Sequence, residues 1–338
     1  MRRVMLLFIS FILFSVMASS SCVSIQPASY LAKEDDEISA SLREDIHALN
    51  DKITALIQNN DFEAFYGYFL SGTKDDSALK QQVNDQFPIL VGITQGKTFR
   101  SIRDYHCVWQ GQGNIPCVIL PRDNSDFQTT VERVNDEIFI SITQTPNEFN
   151  KLLASIVYTR QDNQWKLYKF HVGSYSIADK NAIQWYEEAK SNYDNGYLVP
   201  AMFRLQLANS CLQPAPFLRY KQEEEIGDFG KKLQAELSSK YAFPIQLSSV
   251  PGNPSIYRLD PQFAEGEMVS IVTYVTSISL DDANALKEEA NRMNSIVQEM
   301  FPGIGEGATH IVYRAYSEPP LDPKKQYRSY GTLVEVNK

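Results

Sequence analysis

Two apolar runs, LLASIVYTRQ (residues 152–161) and QWKLYKFHVGS (residues 164–174), flank the dipeptide Asp162-Asn163. Both runs are rich in Val, Ile, Tyr, Phe and Trp, which favour strands. Asp and Asn tolerate the positive φ angles of a tight turn, so the stretch reads as a β-hairpin. Upstream, Phe99–Gln110, Cys117–Pro121 and Glu137–Thr143 have the same strand composition. Before them the period changes. Ile38, Leu42, Ile46, Leu49, Ile53 and Ile57 recur at steps of three and four, the pattern of one helix face, and Asn59-Asn60-Asp61 ends it. A short aromatic helix follows at Phe62–Leu70, broken by Ser71-Gly72-Thr73, then another at Asp75–Gln86, expected to stop at Phe87-Pro88. Helices followed by a strand meander predict an α+β domain, with helices packed on one face of a curved antiparallel sheet.

The stretch Asn60-Asp61-Phe62-Glu63-Ala64-Phe65-Tyr66-Gly67-Tyr68-Phe69 resembles the second helix of the nuclear-transport-factor-like superfamily, and Gln164-Trp165-Lys166-Leu167-Tyr168 its final strands. The resemblance covers about Asp36 to Ala178 and implies a cone-like α+β fold with a pocket between sheet and helices. Some members of that superfamily are isomerases or dehydratases and others only bind or dimerise, so the fold does not give the function.

From Asp179 to Leu237 the pattern is helical again. Trp185, Ala189, Ala201, Leu205 and Ala208, with Gly196 at the turn and Pro214 at the end, resemble one tetratricopeptide hairpin. A single unit has no neighbour to stack on and is expected to pack against the preceding domain. Pro214-Ala215-Pro216 breaks the pattern before a further helix, Tyr220–Leu237. The remainder reads as a second, smaller α+β domain and carries no recognised family signature. Its strands are Ser255–Leu259, Met268–Ile278, Thr309–Tyr316 and Tyr327–Val336, with a helix at Ala283–Met300 capped by Asp281-Asp282. The domain order is therefore signal peptide 1–21, flexible tether 22–37, cone-like domain 38–178, helical segment 179–240 and C-terminal α+β domain 241–338.

The amino terminus has the layout of a secretory signal: Arg2-Arg3, the apolar run Val4–Met17, then Ala18-Ser19-Ser20-Ser21-Cys22. The run is shorter than a membrane span. Small residues before a cysteine resemble the bacterial lipoprotein signal, in which the cysteine receives a diacylglycerol and becomes the first residue. Ser19 stands where a leucine is usual, and the looser Ser-Cys box resembles Bacteroidetes-type signals. The resemblance implies lipidation of Cys22 and a cell-envelope protein held by its acyl chains at the outer membrane, the periplasmic face or the cell surface. The other readings are cleavage after Ala18 or Ser20, or an uncleaved anchor helix. The acidic run Glu34-Asp35-Asp36-Glu37 closes a stretch with little to bury, read as tether.

The net charge of −9 argues against nucleic-acid partners, because phosphate binding needs clustered Lys and Arg. Cys107 and Cys117 flank Gly111-Gln112-Gly113-Asn114, and a hairpin centred on Gln112 would oppose them at bridging distance. The alternative is two buried thiols. Cys211 reads as a small core residue, and no cysteine spacing fits zinc. Of the histidines, His106, His171 and His310 lie in predicted strands, and nothing in their spacing demands a metal. Asp104 and His106 share one strand face, with Tyr105 on the other. With Tyr158, Tyr168 and His171 they could line the cone as a proton-abstraction site, and the competing reading is a surface aspartate beside core aromatics. Glu223-Glu224-Glu225 reads as a solvated helix face, and the cone is expected to be filled by its own aromatics. No nucleophile elbow, phosphate loop or zinc-protease helix occurs in the chain. The sequence implies no cofactor. The expected function is a non-catalytic binding module of the envelope, for a protein or a small ligand. The alternatives are a pocket enzyme of isomerase or hydratase type and a structural subunit of an envelope assembly.

Overall fold

The computed structural model describes residues 28–124, 126–264, 267–322 and 324–336. The signal segment and Cys22 lie outside the described residues. The protein is α+β. The hairpin is β6 (Lys151–Gln161) and β7 (Gln164–Ser176), and Asp162 and Asn163 both take positive φ, as a two-residue hairpin turn requires. With β1 (Ser29–Glu34), β2 (Arg100–Gln110) and β5 (Glu137–Gln144) they form an antiparallel sheet in the order β1-β2-β5-β6-β7.

One face of this sheet is covered by α1 (Ala40–Gln58), α2 (Phe62–Tyr66) and α4 (Ser77–Thr94), with the short α3 (Ser71–Lys74) leading into α4. Ile46, Ile53, Ile57, Phe65, Phe69 and Phe87 close over Phe139, Ile156, Tyr158 and Leu167. Asp61 and Asp76 cap α2 and α4 by accepting backbone N–H groups. The stop expected at Phe87-Pro88 does not occur, and α4 runs through Pro88. Phe87, Leu90, Val91 and Thr94 continue one stripe facing the core, and the Phe87 ring sits 5.4 and 5.2 Å from Phe62 and Phe65. Burying that stripe offsets the roughly 3 kcal/mol that an interior proline costs.

The opposite face is covered too. Tyr105, Cys107, Trp109, Ile138, Ile140, Leu153 and Val157 share a core with α5 (Ala182–Asp194) and α6 (Leu198–Cys211). The same core takes in a small sheet of β3 (Cys117–Ile119), β4 (Phe127–Val131) and β8 (Leu218–Tyr220). Helices on one face alone thus describes only half of this sheet. The α5–α6 pair turns at Gly196 (φ 79°) and packs against the preceding domain, so one continuous core crosses residue 178. Gly173 in β7 lets Pro214 pass close, since a Cβ there would lie 2.4 Å from the Pro214 carbonyl oxygen.

Two expectations are corrected at the sheet edge. Residues 29–37 are not tether. Ser29 to Glu34 pair along β2 from Gln110 to Tyr105, and Asp35–Glu37 form a 3-10 turn. Two of the acids read as tether are used structurally: Glu34 and Asp35 both accept from the Arg122 guanidinium at 2.7 Å, and Asp35 accepts from the Asp104 N–H at 2.8 Å. The hairpin centred on Gln112 is absent as well. After Gln110 the chain leaves the sheet through Gly111 and Gly113, both at positive φ. Cys107 lies opposite Ala32 and Ile138, while Cys117 lies opposite Val131. A disulfide joins Cys107 to Cys117, with Cα atoms 6.9 Å apart, and it ties the large sheet to the small one instead of closing a hairpin.

The C-terminal part is led by α7 (Glu223–Lys240). It contains β9 (Ile245–Gln246), β10 (Ser255–Ala264), β11 (Glu267–Val275), α8 (Ala283–Met300), β12 (His310–Tyr316) and β13 (Ser329–Glu335), with sheet order β13-β12-β11-β10-β9. The β11–β12 pair is parallel because α8 crosses over between them, and the other pairs are antiparallel. Ile256, Val272, Tyr274, Ile311 and Tyr313 meet Leu286, Ala290, Met293 and Val297 of α8. Helix α6 serves both cores: Ala201, Leu205 and Ala208 face the first, Val199 and Phe203 the second. Among the described residues no helix is long and apolar enough to cross a membrane.

Candidate functional site

Asp104 is buried, 3% exposed, on the β2 face that meets α1. Its Oδ2 is 2.7 Å from His47 Nε2, and its Oδ1 accepts from Ser141 Oγ at 2.8 Å and Ser101 Oγ at 3.2 Å. Asn50 donates to Ser141 Oγ and accepts from the Tyr158 hydroxyl, both at 2.9 Å. The series His47–Asp104–Ser141–Asn50–Tyr158 therefore runs from the surface into the core. A buried carboxylate persists only when its oxygens are paired, and here both are. Desolvation holds the Tyr158 hydroxyl far above its ordinary pKa, so it stays protonated. At the surface end, His47, Asn50, Asp51, Thr54, Phe99, Ser101 and Thr143 line a cleft of about 90 Å³.

The other histidines sit elsewhere. His106 shares the β2 face with Asp104 but bonds Glu137 Oε1 at 2.9 Å, beside Phe139 and Trp165. His171 packs against Phe217, and burial lowers its pKa with a further push from Lys169. His310 pairs with Thr309 in the C-terminal sheet. Among the described residues no group of three His, Cys, Asp or Glu side chains is arranged to hold a metal ion. Cys211 is buried, and desolvation pushes its thiol up to about 12. Phe65, Phe69, Tyr158 and Phe170 fill the space between the first sheet and its helices, as the aromatic spacing predicts.

A larger opening lies where the two cores meet. A groove of about 300 Å³ is walled by Val199, Met202, Phe203 and Gln206 of α6, and by Gln234, Leu237 and Ser238 of α7. Tyr241 and Phe243 of the following loop and Tyr257, Arg258 and Leu259 of β10 complete it. Its volume is at the lower end of small-molecule sites, and its walls are mostly apolar and aromatic with a few amides and one guanidinium. Arg258 is held by Asp260, with Nε 2.6 Å from Oδ2. The groove leaves no mark in the sequence because its walls come from α6, α7, the loop after α7 and β10. Nothing local in the sequence pairs His47 with Asp104, although Asn50, a polar residue on the stripe Ile46–Ile53–Ile57, marks that face.

No known protein family, curated protein or solved structure matches the chain. The functional reading therefore rests on the residues and their geometry.

Proposed function

We propose that this protein is an envelope lipoprotein, anchored through Cys22, whose folded body is a non-catalytic binding module. Its ligand is a small, mostly apolar molecule with a polar end, held between α6, α7 and β10. The groove at the junction of the two cores carries this reading. Phe203, Tyr241, Phe243 and Tyr257 offer aromatic surface, Gln206 and Gln234 can orient a polar end, and the volume suits a small molecule but not a helix. The anchor reading is supported by Arg2-Arg3, the apolar run and the small residues before Cys22.

The test is titration with the fluorescent probe 1-anilinonaphthalene-8-sulfonate, which is small and aromatic with a sulfonate as its polar end. Tyr257→Ala and Met202→Asp should each weaken binding by roughly tenfold, the loss of about 1.4 kcal/mol of contact. Unchanged affinity in both variants, with the fold retained, would exclude the groove.

One observation favours a second reading, a pocket enzyme of isomerase or hydratase type. Asp104 orients His47 at the wall of a cleft, as a base would be oriented. The cleft weakens it: about 90 Å³ admits only a few waters, each taking roughly 30 Å³.

A further inference from the structure

The register of the first sheet shows which strand ends lie together at one end of the body. Ser29 pairs with Gln110, Val108 with Glu137, Ile138 with Thr159, and Gln161 with Gln164. The start of β1, the end of β2, the start of β5 and the turn between β6 and β7 therefore all lie at one end. Six residues separate Cys22 from Ser29. Seven Cα–Cα steps span at most about 25 Å even when fully extended.

We propose that the sheet end formed by Ser29, Gln110, Asp136 and the Asp162-Asn163 turn is apposed to phospholipid headgroups, with the C-terminal domain on the far side. The inference rests on the lipoprotein reading and adds an orientation to it. The far side is fixed by Phe263 of β10, whose ring lies 5.7 Å from Phe149 in the loop between β5 and β6. That loop is at the opposite end of the sheet. A body entering its first strand at Ser29 cannot stand off the bilayer as one tethered through residue 37 could.

The chemistry of this end suits headgroups without requiring anionic lipid. Arg133 is paired with Asp136, and Arg160 is near Glu137 at 3.9 Å while its guanidinium lies 5.4 Å from the Trp165 ring centre. Paired charges leave little net attraction, so the tether length sets the apposition and zwitterionic vesicles suffice. Tryptophan and arginine are both at home in the interfacial layer.

The experiment uses the full lipidated chain in phosphatidylcholine vesicles carrying a headgroup nitroxide. A nitrobenzoxadiazole label is placed on Gln164→Cys or on Arg100→Cys, which lies at the other end of β2. Cys211 is buried, and Cys107 and Cys117 are bridged. Strong quenching at position 164 and none above background at position 100 is expected. A Gly/Ser insertion of about twenty residues after Gln26, with a mean reach of roughly 25 Å, should abolish the difference. Equal quenching at both positions, or stronger quenching at position 100, in a chain that floats with the vesicles overturns the orientation. Failure of the lipoprotein reading shows separately, as a wild-type chain that floats no better than Cys22→Ala, and it removes the proposal with it.

Discussion

His47 on α1 and Asp104 on β2, 57 residues apart in the chain, meet at 2.7 Å at the mouth of a buried polar series. The carboxylate also accepts from Ser141 and Ser101, so one side chain ties the first helix to β2 and β5 of the sheet. Asp104→Ala leaves Ser141, Ser101 and His47 without their carboxylate partner. It should cost about 3 kcal/mol, the range for breaking a buried charge-assisted network, and Asp104→Asn should cost less because it keeps an acceptor oxygen. Urea unfolding of the variants measures this, and a loss under about 0.5 kcal/mol in Asp104→Ala would mean the series contributes nothing net.

The Cys107–Cys117 bridge closes a loop of sequence separation 10 between two sheets. Chain-entropy reasoning gives such a loop about 2–3 kcal/mol. Cys107→Ala/Cys117→Ala should lower the unfolding midpoint accordingly. Both sulfurs are buried, so mild reductant acting on the native protein should do so slowly if at all.

Gly173 faces the backbone of Pro214 with no room for a methyl group. Gly173→Ala should destabilise by roughly 2 kcal/mol or more, because the clash is with backbone that cannot rotate away. Thermal unfolding of that variant beside Gly227→Ala, where a Cβ meets nothing, separates crowding from a general effect of replacing glycine.

Much of this fold is written locally. The Asp162-Asn163 turn, the aromatic stripe of α2, the Gly196 turn and the Asp282 cap of α8 each follow from a few neighbouring residues. What stayed hidden depends on distant partners. β1 is a half-polar edge strand, and only its register against β2 gives it a role. β4 and β8 are short and pair with each other across the chain. The α4 helix survives Pro88 because Phe87 finds aromatic rings from α2. For the same reason the sequence pairs Asp104 with His106, its neighbour along the strand, whereas the structure gives it to His47 from another element. The groove at the α6–α7–β10 junction has no local signature at all.

Glu289 of α8 is 2% exposed and accepts from Thr276 Oγ1 at 3.0 Å. Burial pushes its carboxyl above the ordinary glutamic acid range, while Thr276 and Arg292 pull the other way. A pKa raised on folding means the group's contribution is fully present below its unfolded value and is lost as pH rises through the folded value. Wild-type stability should therefore fall across that window on the way to neutral pH. Glu289→Gln, which keeps an acceptor for Thr276, should remove the fall and be the more stable protein at pH 7. Parallel denaturation curves for the two proteins between pH 4 and pH 7 would contradict this.

The proposed anchor at Cys22 underlies both the envelope assignment and the proposed orientation, and one measurement reaches it directly. The chain is isolated from the membranes of a cell that processes bacterial lipoproteins, and its intact mass and first residue are determined. The prediction is a chain beginning at Cys22 and carrying a diacylglyceryl group, with Cys22→Ala released to the soluble fraction. A chain beginning elsewhere, or a Cys22→Ala variant retained by the membrane as fully as the wild type, would contradict it.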